Sequence, residues 1–202
     1  MKVDTGLPLD LSQVAQSAKR SEALGYDGAI TPETGHDPFL PHVIAAEHTE
    51  RLELSTAVAI AFPRSPMAVA QIAWDIQKFS KGRFTAGLGT QVKGHIQRRY
   101  GTDWHPPGPR LREYVQMMRA IWDSWQNGTR PEFEGKYYRY TLMTPFFNPG
   151  PIEHPKVPVH LSAINPYICR LIGELCDGIK LHGFNTPKYL KEVILPNIEK
   201  GA

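Results

Sequence analysis

RLELSTAVAIAFPRSPMAVAQIAWDIQKFSKGRFTAGLGTQ, residues 51–91, is the stretch whose reading decides the fold. Residues 52–62 are rich in Ala, Val and Ile without sustained polar alternation, the pattern of a strand buried on both faces. Met67, Ile72, Ile76 and Phe79 then recur near a helical period, with Ser65 as N-cap, Pro66 as first helical residue and Gly82 as the stop. Residues 84–88 form a second apolar run. Two buried parallel strands joined by a covering helix make a βαβ unit, right-handed on topological grounds.

The alternation extends in both directions. Ahead of it stand a short strand at residues 2–6 and a helix at 9–24, capped by Asp10 or Ser12 and ended by Gly25. A strand at 26–31, a loop at 32–38 carrying Glu33, Thr34, His36 and Asp37, and a helix at 39–50 follow. Beyond it, residues 91–109 read as a long polar and aromatic loop, and 109–127 as a helix with Leu111, Tyr114, Val115, Met118, Ile121, Trp122 and Trp125 on its apolar side. Residues 128–158 read as an insertion, with a hairpin around Gly135 and a Pro-rich tail. A strand at 157–163, a helix at 166–176, a strand at 178–182 and a helix at 187–200 complete six βα units. Such alternation belongs to an α/β barrel or a doubly wound sheet. A dinucleotide sheet calls for Gly-x-Gly-x-x-Gly after an early strand; none is present, and Gly87-Leu88-Gly89 lacks the third glycine.

The chain has 202 residues, 41% hydrophobic and 21% charged, with net charge +3, which suits one sizeable core. The densest basic cluster, Gln97-Arg98-Arg99-Tyr100, is too short to argue for nucleic acid. No apolar run approaches the ~20 residues of a membrane span, and the first residues lack a signal pattern, so a cytoplasmic protein is expected. Cys169 and Cys176 lie on one expected helix, two turns or roughly 10 Å apart, and read as reduced thiols. The eight His residues show neither His-x-His nor His-Glu-x-x-His, so no metal site is expected.

Several motifs carry a resemblance. Ala23-Leu24-Gly25-Tyr26-Asp27-Gly28 enters the second strand and Leu54-Ser55-Thr56-Ala57-Val58 fills the third. Lys81-Gly82-Arg83-Phe84 and Gly87-Leu88-Gly89-Thr90 bracket the fourth, and Arg110-Leu111-Arg112-Glu113-Tyr114 opens the long helix. TLMTPFFNPGP (residues 141–151) and Cys176-Asp177-Gly178 complete the set. In this order, over residues 2–196, the chain resembles the luciferase-like monooxygenase superfamily, the bacterial-luciferase-type TIM barrels, and within it the F420-dependent oxidoreductases.

The resemblance implies an α/β fold, a TIM (β/α)₈ barrel of the luciferase-like type, here shortened to about six βα units with an insertion after the fourth strand. Residues 1–202 then make a single partial barrel, with 91–109 and 128–156 as insertion segments over its mouth. Members continue through two further strands, so the chain is expected to be a truncated barrel or part of a longer one. Uncovered strand edges would favour a homodimer.

It also implies a site at the C-terminal ends of the strands, where a coenzyme F420 ring, or FMN as the alternative, rests against the third strand. There a non-prolyl cis bond would join Ala57 and Val58. Gly87, Gly89 and Thr90 would pass close to the ring edge, and the phosphate would sit after the fifth strand at Ser162, Ala163, Ile164 and Asn165, with Arg98 or Arg99 as a charge partner. Glu33 and His36 are the acid/base candidates, with Asp4 and His182 behind them. The expected reaction is hydride transfer between F420 and a small organic substrate, beneath a roof of Tyr100, Trp104, His105 and residues 144–147. The alternatives are an FMN-dependent monooxygenase and a non-catalytic flavin-binding or dimerising remnant.

Overall fold

The computed structural model describes residues 2–202. The chain runs β1 (Asp4–Gly6), α1 (Leu11–Ala23), β2 (Gly28–Thr31), α2 (Leu40–His48), β3 (Glu53–Thr56), β4 (Ala59–Ile60), α3 (Pro66–Phe79), β5 (Phe84–Gly89) and α4 (Lys93–Arg98). It continues with α5 (Pro107–Asn127), β6 (Phe133–Glu134), β7 (Arg139–Tyr140), β8 (Val159–Ser162), α6 (Pro166–Leu175), β9 (Gly178–Lys180), α7 (Pro187–Tyr189) and α8 (Leu195–Glu199). The strands order β1-β2-β3-β5-β8-β9, with β4 beside β5 and every pairing parallel, while β6 and β7 form a separate antiparallel hairpin. The parallel sheet curls into a half-barrel, the shortened α/β barrel that the six βα units imply.

Helix starts follow the sequence. The Asp10 carboxylate accepts the Ser12 N–H at 3.0 Å, Ser65 Oγ accepts the Ala68 N–H at 3.1 Å, and Asn165 Oδ1 accepts the Ile168 N–H at 3.0 Å. Helix α5 ends at Gly128, whose φ of 69° closes it in the left-handed region. Three boundaries differ. Inside the expected loop 91–109, α4 forms and buries Ile96. The final helix contains a widened π turn over Leu190–Ile194, next to Pro196, which has no N–H for the ladder. The expected single strand 52–62 is interrupted, and the Ala57–Val58 bond within the interruption is cis.

At that interruption a side chain replaces the ladder. Thr56 Oγ1 donates to the Gly87 carbonyl at 2.6 Å and accepts the Gly87 N–H at 2.9 Å, so both backbone groups stay paired. Gly87 is obligatory, because a Cβ there would stand 1.8 Å from the Thr56 carbonyl oxygen.

The strands alternate about the sheet. Leu54, Phe84, Ala86, Leu88, Val159 and Leu161 are wholly buried against the helical layer, where Trp74 and Trp125 pack at 5.8 Å between ring centroids. The alternate positions, Asp4, Ser55, Thr85, His160 and Lys180, line the lumen. Residues 145–156 do not roof the barrel. They run along α3 and α5, where the Trp74 indole N–H donates to the Gly150 carbonyl at 3.3 Å, and reach the start of β5, where His154 packs on Gly82. The segment is anchored by that indole bond and by buried Ile152, whereas Phe146 and Phe147 stay exposed. Cys169 and Cys176 are free thiols, and burial pushes both upward, Cys176 to about 12. Among the described residues, no helix is long and apolar enough to cross a membrane.

His42 on α2 is fully buried, its ring edge-on to Phe84. Thr31 Oγ1 spends its hydrogen on the Pro38 carbonyl at 2.6 Å, so His42 Nε2, 2.7 Å from the same oxygen, carries the imidazole proton. Burial, reinforced by the positive charge of Lys180, lowers its pKa from 6.5 to about 3. Below pH 6.5 the unfolded chain binds this proton and the folded chain does not, so stability is lost as pH falls towards 3. Urea denaturation should show the wild type losing about 2 kcal/mol more than His42→Gln between pH 6.5 and 4.5.

Candidate active site

A cavity of about 580 Å³ opens at the C-terminal ends of β4, β5, β8 and β9. The interruption after β3 supplies Ala57 and Val58, and the end of β5 supplies Gly89 and Thr90. From β8 and the turn into α6 come Ser162, Ala163, Ile164 and Asn165. These eight of the residues expected around a ring cofactor border one space, while Gly87, one layer below Gly89, does not. Glu33 joins them from the β2–α2 loop, and Lys180 and His182 from β9 and the loop after it. A second cavity, of about 680 Å³, lies in the lumen towards the N-terminal strand ends, and the Lys2–Glu53 and Lys156–Asp177 pairs stand on its border.

The upper cavity owes its shape to missing side-chain atoms. A Cβ at Gly89 would stand 2.7 Å from Val58 Cγ2 and 2.8 Å from Ser162 Oγ. The bare glycine lets Val58 and Ser162 close in over the β5 backbone, and both side chains border the cavity. At the start of α6 the donors are mostly spent. Pro166 has no N–H, Ile168 donates to Asn165 Oδ1, and Cys169 donates to the Asn165 carbonyl at 3.1 Å. The Tyr167 N–H is left to meet an anion at this helix start.

Glu33 reaches the cavity with its carboxylate engaged. It accepts the Ile60 N–H at 2.7 Å, Arg64 Nη1 at 2.8 and 3.0 Å, and the Tyr100 hydroxyl at 3.0 Å. Arg64 also pairs with Asp37 at 3.0 Å, so one network ties the β2–α2 loop, the end of β4 and the segment after α4. Burial and the adjoining Glu33 carboxylate raise the Tyr100 phenol, which stays a donor.

His36 is exposed, outside the cavity lining; its position two residues after the loop's paired Thr34 carries it outward. Arg99 is committed to the Thr34 carbonyl at 2.7 Å and to the Tyr100 ring, and neither it nor Arg98 lines the cavity. Asp4 faces the lumen at the opposite end. His182 stands at the rim, where its Nδ1 accepts the Phe184 N–H at 3.2 Å, which places the proton of the neutral ring on Nε2.

Sequence reading passed over Arg64 and Lys180. Arg64 carries no motif, and its role emerges only where two loops meet. Lys180 had a signal in the two-residue period of β9, which puts it on the same face as Gly178 and opposite Ile179.

A parallel half-barrel with its cavity at the C-terminal strand ends, walled by a broken third strand, belongs to one class of α/β barrel. The chain is a member of the luciferase-like monooxygenase family, whose model matches residues 2–202. A Mycobacterium tuberculosis protein of uncharacterised function is 44% identical over 201 residues, covering 100% of this chain and 59% of its own length. The F420-dependent glucose-6-phosphate dehydrogenase of Nocardia farcinica is 30% identical over 175 residues, 83% of this chain and 50% of the relative. The oxygenating constituent of 3,6-diketocamphane monooxygenase from Pseudomonas putida, solved with FMN, superposes with a TM-score of 0.79 at 17% identity, covering 100% of this chain and 63% of that one. The chain thus spans about three fifths of the first relative's length.

The Glu33–Arg64 pair, 5% and 20% exposed, makes a stability prediction. Glu33→Ala leaves Arg64 only Asp37 and the Ile60 carbonyl, orphans the Ile60 N–H and the Tyr100 hydroxyl, and should lower the unfolding free energy by about 2 kcal/mol in urea. Glu33→Ala combined with Arg64→Met should recover part of that loss.

Proposed function

We propose that this chain carries the ring-binding part of an oxidoreductase that uses coenzyme F420 and acts on a small organic molecule. The observation that carries the reading is the convergence of Ala57, Val58, Gly89, Thr90 and the β8–α6 turn on one open cavity of about 580 Å³, the slot in which a ring would lie. The dehydrogenase that is 30% identical is F420-dependent by name, which favours F420 over FMN; the FMN-bound monooxygenase shares the fold at 17% identity. When bound, the deazaflavin would supply hydride chemistry that no side chain provides.

The protein's own groups divide the remaining work. Ala57 and Val58 back one face of the slot, and their small side chains permit close approach. The Thr90 and Ser162 hydroxyls can donate to ring heteroatoms or carbonyls from the slot's edge. Asn165, by capping α6, fixes the helix start towards which a tail phosphate would point. Glu33 positions the loops around the cavity through Arg64 and Tyr100, while His182, with Nε2–H at the rim, is the group placed to move a proton.

Fluorescence titration of the purified chain with F420 and with FMN tests the proposal. Tighter binding of F420 is expected, and at least about a tenfold loss in Gly89→Ala with unchanged circular dichroism, since the added carbon must push Val58 or Ser162 out of the cavity wall. Tighter binding of FMN would replace the cofactor assignment, and binding of neither ring would overturn the reading.

A further inference from the structure

Six lysine and arginine side chains in this chain are partly buried: Arg64, Arg83, Arg110, Arg112, Arg119 and Lys180. The five arginines all have partners. Arg64 holds Glu33 and Asp37, Arg112 holds Glu174, and Arg119 holds Asp177. Arg83 donates to the Leu52, Ala46 and Thr49 carbonyls, and Arg110 donates to the Tyr138 hydroxyl at 2.9 Å and lies over the Phe62 ring. Of these six, Lys180 alone has neither an ion pair nor a side-chain hydrogen bond. Asp4 and Glu53 act on it through space only, and its pKa is lowered by desolvation first of all.

Its position gives the vacancy a meaning. Lys180 pairs in register with Ser162, and Leu88 pairs with Leu161, which sets Gly89 alongside Ser162. Ile60 pairs with Gly89. One layer across the sheet therefore runs from the β4 wall through Gly89 and Ser162 to the Lys180 side chain, and Lys180 borders the cavity at the end of that layer. An ammonium is costly to withdraw from water without a paired counter-charge, and this one, with Asp4 and Glu53 acting only from the lumen side, stands where the lumen meets the upper cavity.

We propose that Lys180 is an anion-recognition residue of the upper cavity, pairing with a negatively charged oxygen that the bound ligand presents across the slot from Ala57 and Val58. It rests on reading the cavity as a site for ring and substrate. The same chemistry has two sources, a delocalised anion on the ring or the carboxylate of an organic-acid substrate, and they are separable by experiment.

Lys180→Met keeps the length of the side chain and removes its charge; Lys180→Arg keeps the charge. Calorimetric titrations of wild type and both variants with F420, and separately with benzoate and benzamide without any ring, test the proposal. If the ring supplies the anion, F420 affinity falls by about tenfold or more in Lys180→Met and is kept in Lys180→Arg. If the substrate supplies it, F420 affinity holds, whereas benzoate binds the wild type better than benzamide does and loses that advantage in Lys180→Met. Equal F420 affinities in wild type and Lys180→Met, with benzoate no better bound than benzamide, overturn the proposal. A wild type that binds neither F420 nor FMN overturns the proposed function instead, and the benzoate arm still decides the role of Lys180. Matching melting curves show that a lost affinity is not lost folding.

Discussion

The hydroxyl of Thr56 is the contact on which the candidate site depends. A parallel sheet cannot be opened in its middle without orphaning backbone groups, each worth about 1–3 kcal/mol when buried. Here the sheet is opened between β3 and β4, and one buried side chain satisfies both the N–H and the carbonyl of Gly87. A short β-branched hydroxyl does this best in extended backbone; serine offers the same oxygen with less β preference, and valine offers no oxygen. With the ladder closed through a side chain, the main chain after Thr56 is free to turn Ala57 and Val58 towards the cavity.

Two arginines brace the sheet at opposite ends. At the C-terminal end, Arg64 gathers Glu33 and Asp37 and, through Glu33, Tyr100. At the other end, Arg83 donates to four oxygens of the segment linking α2 to β3 and the last turn of α2. Planar multidentate donors suit this work, because a single guanidinium fixes several chain segments at once, where an ammonium would act as a point charge. That contrast makes the solitary Lys180 informative, since its neighbours show how this chain treats a cation meant only to hold the fold.

The fold was legible from residues 51–91 because buried parallel strands and a capped amphipathic helix leave strong periodic signals, and Ser65-Pro66 marks a helix start without ambiguity. The residues around the slot were reached through the resemblance rather than the periodicity, since Ala57, Val58 and Gly89 look like any small-residue strand until the sheet is seen to break. The stretch 144–147 was expected over the mouth because it is aromatic and Pro-rich, but its course is set by the anchors that follow it, the Gly150 carbonyl on the Trp74 indole and buried Ile152, which no local pattern reveals. Glu33 was found as a carboxylate near the mouth, but its engagement by Arg64 and Tyr100 joins residues 31 and 67 positions away, a distance over which no local pattern operates.

The distribution of core and lumen explains how a cavity can persist in such a sheet. Barrels of this type usually fill their interior with branched apolar side chains. Here the inward positions are Asp4, Ser55, Thr85, His160 and Lys180, and the fully buried apolar residues face the helices. The rigidity of the slot therefore comes from outside, from Leu54, Phe84, Leu88 and Leu161 buried in the helical layer, where Phe84 meets His42 of α2, and the inner face is left free to be polar. A strand whose outer side chains are close-packed holds its backbone, and hence its inner side chains, in fixed positions without any contact across the lumen. Function can then vary on the inner face at little cost to the fold, so the residues that set chemistry here are expected at alternate strand positions such as Ser162 and Lys180 rather than at their apolar neighbours.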